Sequence, residues 1–216
     1  MAVRRPLPPV SAAAGGPAGR EELAGAAQRC RECPLGEHAT QAVWGEGPDA
    51  PRLMLVGEQP GDQEDRQGHP FVGPAGHLLD RAAAELGWRR DRLYVTNAVK
   101  HFKYELRGKR RIHKTPAQRE VMACHHWLES EIETVAPRAL VALGATAARS
   151  LLGRAVPVLA SRGQWFVREA DGRPVLVTLH PSALLRMRGD DREAAYAAWL
   201  ADLERASSPP RRVKPA

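Results

Sequence analysis

Several short segments of this chain carry side chains suited to chemistry. Cys30 and Cys33 form a C-x-x-C pair, and Cys124 is the remaining cysteine. Three thiols cannot close a disulfide framework, so the pair points to metal or redox use inside a reducing cell. Gly57-Glu58-Gln59-Pro60-Gly61-Asp62-Gln63-Glu64-Asp65 joins an apolar run to a carboxylate-rich turn. Such a turn suits acid–base catalysis, cation binding or substrate hydrogen bonding, and equally an acidic surface loop. Phe71 stands between Gly68-His69-Pro70 and Val72-Gly73-Pro74, so small neighbours leave room for its ring to stack on a planar base or to pack in a core. Asn97 ends a second apolar run, and its amide offers a donor and an acceptor together, as reading a pyrimidine edge requires. His180-Pro181-Ser182 follows a third run, which sets an imidazole beside a helix start able to receive phosphate.

The cations are unevenly placed. The chain of 216 residues has 32 Lys and Arg against 25 Asp and Glu, a formal charge of +7, and a pI near 9.8. That excess favours a polyanionic partner. Lys100, Lys103, Arg107, Lys109, Arg110, Arg111 and Lys114 face the lone carboxylate Glu105 and hold nearly the whole excess. Charge alone would favour a solvated basic loop. His101, Phe102, Tyr104, Ile112 and His113 are interleaved with these cations, however, and aromatic or apolar groups beside phosphate binders suit a nucleic-acid surface. Arg211, Arg212 and Lys214 form a smaller cluster among Pro209, Pro210 and Pro215, in a tail expected to be disordered.

Apolar residues at 43% and charged residues at 26% indicate a globular chain, long enough for one core and too short for two. No apolar run approaches the roughly 20 residues of a bilayer span. Residues 1–19 lack the apolar stretch and cleavage pattern of a secretory signal. The expectation is a cytoplasmic, monomeric protein with a disordered leader over 1–19, one domain over 20–206 and a basic tail over 207–216. Its high Ala, Gly and Arg content suggests a GC-rich bacterial source.

Arg20 to Arg29 has a helix-compatible pattern that delivers Cys30 and Cys33 into a turn at Pro34 and Gly36. Apolar runs at Arg52–Val56, Leu93–Thr96, Ala139–Leu143, Gln164–Val167 and Val175–Leu179 predict strands. Helices are predicted over Pro74–Leu86, from Pro116 through Ile132, over Thr146–Leu152 and over Arg192–Arg205, with loops at Glu58–Gly73 and at the basic segment. Strands alternating with helices imply an α/β fold, a three-layer α/β/α sandwich around a mainly parallel sheet. Ligands are expected at the carboxyl ends of its strands, where Glu58, Asn97, Gly144 and His180 stand.

In chain order, GEQPGDQED, PFVGPAG, TNAVKHFK, GKRRIHK, LGATAA and HPSALLR are spread over most of the stretch from Arg20 to Leu200. Together they resemble the uracil-DNA glycosylase superfamily. The first and last motifs are similar to those of the iron-sulfur, family-four-like enzymes, and Lys109-Arg110-Arg111-Ile112-His113 resembles the UdgX type, whose members bind uracil-DNA covalently. The resemblance implies excision of uracil from DNA by N-glycosidic cleavage. It implies that Phe71 stacks on a flipped uracil, that Asn97 pairs with its polar edge and that His180 donates to the uracil oxygen. Glu58, Gln59 and Asp62 would contact the base and organise the sugar in a loop beginning at Gly57, and Arg110 and Arg111 would bind the DNA. The implied partner is uracil-containing DNA, with single strands preferred because an unpaired base costs less to extrude.

By charge and spacing alone, His113 contacts phosphate. The resemblance implies instead that its neutral imidazole bonds to the abasic C1′, giving a single-turnover covalent product. Arg110, Arg111 and Lys114 would disfavour its protonated form, and Glu58 would orient it. The resemblance further implies that Cys30, Cys33, His101 and Cys124 hold a structural 4Fe-4S cluster, His101 standing where the family has its third ligand. Residue types alone rank a Cys3His zinc site first, with His125 and His126 competing for the fourth position. A conventional multiple-turnover uracil-DNA glycosylase and a zinc-containing DNA-binding module without catalysis are the alternatives.

Overall fold

The computed structural model describes residues 19–210. The expected leader through residue 18 and the tail from 211 onward, with Arg211, Arg212 and Lys214, lie outside them. In chain order come α1 (Arg20–Gln28), α2 (Leu35–His38), β1 (Leu53–Gly57), α3 (Asp62–Gln67), α4 (Pro74–Glu85), β2 (Leu93–Asn97), β3 (Tyr104–Arg107) and β4 (Arg110–His113). There follow α5 (Gln118–Val135), β5 (Ala139–Leu143), α6 (Ala145–Leu152), α7 (Val158–Ser161), β6 (Gln164–Val167), β7 (Pro174–Thr178), α8 (Pro181–Leu185) and α9 (Gly189–Ala206).

Five strands form the central sheet in the order β2-β1-β5-β7-β6, parallel except for β6 at one edge. Every residue of β1, β2 and β5 is buried, the condition that turns strands covered on both faces into continuous apolar runs. Side-chain alternation divides the core. Leu53 and Leu55 join Leu79 of α4 and Leu203 of α9, whereas Met54 and Val56 join Leu128 of α5 and Leu151 of α6. The result is the expected three-layer sandwich around a mainly parallel sheet. Because β2 lies on one side of β1 and β5 on the other, the strand order reverses at β1. A crevice opens at such a reversal, at the carboxyl ends of the strands.

Two segments expected to be loops are structured. Within Glu58–Gly73, α3 puts Asp62, Glu64 and Asp65 in its first turn, where the helix dipole favours carboxylates. Glu64 accepts a hydrogen bond from Gly61 N at 3.1 Å, and Gly68 ends the helix with φ of 80°. The basic segment is an antiparallel hairpin, in register from Tyr104↔His113 to Arg107↔Arg110. Gly108, with φ of 59°, opens its two-residue turn, the position at which such turns require a positive φ. β3, Tyr104-Glu105-Leu106-Arg107, has the period-two alternation of a strand over only four residues, and β4, Arg110-Arg111-Ile112-His113, lacks it.

Candidate active site

The carboxyl ends of the strands converge on a cleft of about 500 Å³ whose lining includes Gln59, Asp62, Phe71, Asn97, His113, His180 and Arg186. Gly57 and Asn97 are partners at the ends of β1 and β2. A Cβ on Gly57 would lie 2.3 Å from Asn97 Oδ1 and 2.8 Å from the Phe71 ring, so glycine is what lets the amide and the ring come together there. Phe71 is buried and adopts φ of 58°, a left-handed conformation costly for a bulky residue and concentrated at functional sites. A wider depression of about 730 Å³, lined by Glu46, His69, His77 and Asp80, shares Phe71 but none of the strand-end residues.

His180 follows β7. Its Nδ1 accepts from Ser182 N at 3.2 Å and lies 2.8 Å from Ser182 Oγ. With Nδ1 as acceptor, the proton of the neutral ring belongs on Nε2, leaving that nitrogen as the donor. Burial, then His113 and Arg186, lower the pKa of His180 to about 4. The ring is therefore neutral at pH 7. An unfolded chain would take up a proton near pH 6.5, whereas the fold resists doing so until about pH 4. The contribution to stability is thus absent above that window and increasingly unfavourable as pH falls through it. At about 1.4 kcal/mol per unit the penalty approaches roughly 3 kcal/mol. Thermal melts at about pH 7.5 and about pH 4.5 should show His180→Gln losing less stability in acid than the wild type. Equal acid losses would exclude His180 as their source.

His113 ends β4, half-exposed, with Nε2 at 3.7 Å from Glu58 Oε1. The other Glu58 oxygen accepts from the Thr146 hydroxyl at 2.6 Å. Burial lowers the His113 pKa, Glu58 opposes this and Arg186 reinforces it. Neutrality is thus favoured, but through burial and Arg186 rather than through Arg110, Arg111 and Lys114. Thr146 and Arg186 were not singled out from sequence, although LGATAA and HPSALLR contain them.

The hairpin is clasped to the site. Gln59 Nε2 donates to Lys114 O at 2.9 Å and Lys103 O at 3.3 Å, and its Oε1 accepts from Lys103 N at 3.0 Å. Its amide therefore grips the base of the hairpin, while the residue also lines the cleft. Arg111 donates to Asp62, to Asp65 Oδ2 at 2.6 Å and to Thr40 Oγ1 at 3.2 Å. Its guanidinium lies 5.0 Å from the Tyr104 ring centroid. Burial alone would raise the Asp62 pKa, but hydrogen bonds from Arg66 and Arg111 outweigh it and hold the carboxyl below its ordinary range. Arg111, expected to bind DNA, thus ties the hairpin to α3.

Most of the other cations in this segment are also paired. Lys103 meets Glu120, Arg107 and Lys114 meet Glu105, and Lys100 is buried against Glu131. Lys109 and Arg110, exposed at the turn, make no ion pair among the described residues, so the outward positive charge is concentrated at the hairpin tip.

The sequence model of the Uracil DNA glycosylase superfamily matches residues 44–204, a span that includes every cleft residue named above. The chain belongs to the uracil-DNA glycosylase superfamily. It is 38% identical over 185 residues to a Type-4 uracil-DNA glycosylase of Thermotoga maritima, covering 84% of this chain and 89% of that one. A Type-4 uracil-DNA glycosylase of Pyrobaculum aerophilum is 37% identical over 172 residues, covering 76% and 84% respectively. A Type-5 uracil-DNA glycosylase of the same organism is 31% identical over 171 residues, covering 70% of this chain and 72% of that one.

In this superfamily member the cysteines lie outside the lining of the cleft. Cys30 and Cys33 follow α1, and Cys124 on α5 is buried and accepts from Lys100 N at 3.2 Å. Cys33 and Cys124 pack in one apolar cluster with Leu35, Val99 and Val121. Burial pushes the Cys124 thiol up to about 11, Lys100 pulls it down, and Cys30 and Cys33 raise it further. Burial lowers the pKa of His101, which favours a neutral ring with a free lone pair. The competing histidines are turned toward carboxylates: His126 Nε2 lies 3.1 Å from Glu32 and His125 Nε2 3.4 Å from Glu129. Trp127 packs against the same apolar cluster, and its buried indole N–H has no partner among the described residues. Among the described residues no three His, Cys, Asp or Glu side chains are gathered closely enough to hold a single metal ion. No described helix is long and apolar enough to cross a membrane.

Proposed function

We propose that this superfamily member excises uracil from DNA and becomes joined to the abasic sugar through His113. The carrying observation is the placement of a neutral, half-exposed imidazole in the cleft beside Glu58, on a hairpin clasped by Gln59 and Arg111. The names of the Type-4 and Type-5 relatives support the excision step. Extruded from its stack, uracil would lie against Phe71 with its polar edge toward Asn97. The C1′–N1 bond breaks and its electron pair leaves on the base, while His180 Nε2–H donates to a uracil oxygen and disperses the developing charge. Glu58 stabilises the cationic sugar and orients His113. The His113 lone pair then forms the C1′–N bond. The imidazole loses its N–H proton to solvent and uracil gains one, so the step consumes no water. Lys109 and Arg110 at the hairpin tip would hold phosphates of the uracil-containing strand, preferentially a single strand.

Cys30, Cys33, His101 and Cys124 would hold a 4Fe-4S cluster. The clustered thiols, the neutral His101 and the partnerless Trp127 N–H, a donor suited to sulfur, fit such a group. Zinc would require its donors drawn to within about 2.0–2.3 Å of one point. A bound cluster would brace the end of α1, the segment after β2 and α5, and iron analysis of the purified protein tests it.

The decisive assay incubates the protein with a labelled uracil-containing strand, boils the mixture in detergent and resolves it by gel. A shifted band is expected with uracil and absent with thymine, saturating at one strand per protein. An alkali-labile site without a shift would identify a conventional glycosylase. Neither product would leave a binding module.

A further inference from the structure

Lys100 and Glu131 form a wholly buried pair that the reaction steps above do not use. Lys100 Nζ donates to Glu131 Oε2 at 2.7 Å, Thr96 Oγ1 at 2.7 Å and Asn97 O at 2.9 Å, so each ammonium proton has an acceptor. Glu131 also accepts from Thr96 Oγ1 at 2.6 Å, Tyr94 Oη at 2.9 Å and Gly45 N at 2.8 Å. Removing two charges from water is costly, and apolar residues of similar volume often stabilise a core as well or better. Stability is therefore a weak explanation for the pair. Position is a stronger one. The ammonium holds the carbonyl of Asn97, the residue that ends β2 in the cleft. Ala98 N and Val99 N, next in the chain, donate to Gly57 O at 2.9 Å and Glu58 O at 3.0 Å. The turn is thus fixed to β1 by its amides and to Glu131 through Lys100. The Asn97 side chain is short, so the place of its amide follows its backbone.

We infer that Lys100, held by Glu131, is a positioning residue that sets Asn97 for reading the uracil edge. The inference rests on the proposed excision of uracil. Lys100→Met/Glu131→Gln removes both charges with little change of shape and keeps an acceptor for Tyr94 and Gly45. Thr96→Val is a milder variant that removes one link. Single-turnover uracil release at saturating DNA should fall about 10–100-fold in the double variant and about 3–10-fold in Thr96→Val, as small misplacements of a positioned group do. Iron content should stay at the wild-type value. In an Asn97→Ala background each change should cost less than about twofold, because coupled residues are non-additive.

An undiminished rate in the Asn97-containing proteins, or the full loss repeated in the Asn97→Ala background, would overturn the inference. So would loss of iron from both variants, which would make Lys100 a support of the cysteines instead. If the double variant does not fold, Thr96→Val decides by the same criteria. Wild-type protein that releases no uracil would instead defeat the proposed function itself.

Discussion

His113→Ala is expected to abolish the heat-stable protein–DNA band while uracil release continues. His180, Phe71 and Asn97 lie on other elements of the cleft and keep their places. Glu58 remains anchored by Thr146 at 2.6 Å, so the groups proposed to weaken the glycosidic bond persist. What disappears is the proposed nucleophile, and with it the side-chain volume that would keep water from C1′. The sugar cation is then captured by water, and free uracil should exceed one equivalent per protein as the enzyme turns over. Measuring released uracil and the boiled gel on one sample tests both halves. Persistence of the band would place the nucleophile elsewhere. Loss of uracil release together with the band would mean that His113 serves bond cleavage and would refute the division of labour.

Arg111→Ala should unfold the protein more easily and separate capture from excision. Arg111 is 11% exposed and pairs with Asp65, whose side chain is 0% exposed. Removing one partner of a buried ion pair strands the other charge and costs roughly 3–5 kcal/mol. For a chain of this size that lowers the melting temperature by about 10 °C. Thr40 N at 2.9 Å would remain as a donor to Asp65, too little to replace a guanidinium. The hairpin also loses its tie to α3, so covalent capture should slow at least about tenfold more than uracil release, since His113 rides on the hairpin whereas His180 and Asn97 do not. Arg107→Ala, at the exposed end of β3, should change stability by less than about 0.5 kcal/mol. Calorimetry with timed gels distinguishes the two variants. Parallel loss of capture and release in Arg111→Ala would show that Arg111 supports the whole cleft rather than the hairpin.

Some of this architecture was legible from residues alone, for definite reasons. β1, β2 and β5 are buried on both faces, so their runs are continuously apolar and end where polar chemistry begins. That pattern brought Glu58, Asn97 and His180 to one end of the sheet, where the cleft lies. α3 and the hairpin were not legible, because one is a short turn of acids opened by glycine and the other pairs two four-residue strands of which β4 opens on two cations and lacks alternation.

The fate of the charges was decided only by tertiary structure. Lys100, Lys103 and Arg111 belong to one basic segment in sequence, yet their partners Glu131, Glu120, Asp62 and Asp65 lie on α5 and α3. Local sequence sets side-chain period, turns and strand ends, which is why the layers and the strand-end residues could be read directly. It does not determine which distant carboxylate a cation will meet. Here that choice leaves the segment's unpaired charge on Lys109 and Arg110, ties Arg111 to α3 and sets Lys100 between Glu131 and the Asn97 carbonyl. The physical reason is that electrostatic partnership depends on distance and burial in the folded chain, and both arise only when the layers close.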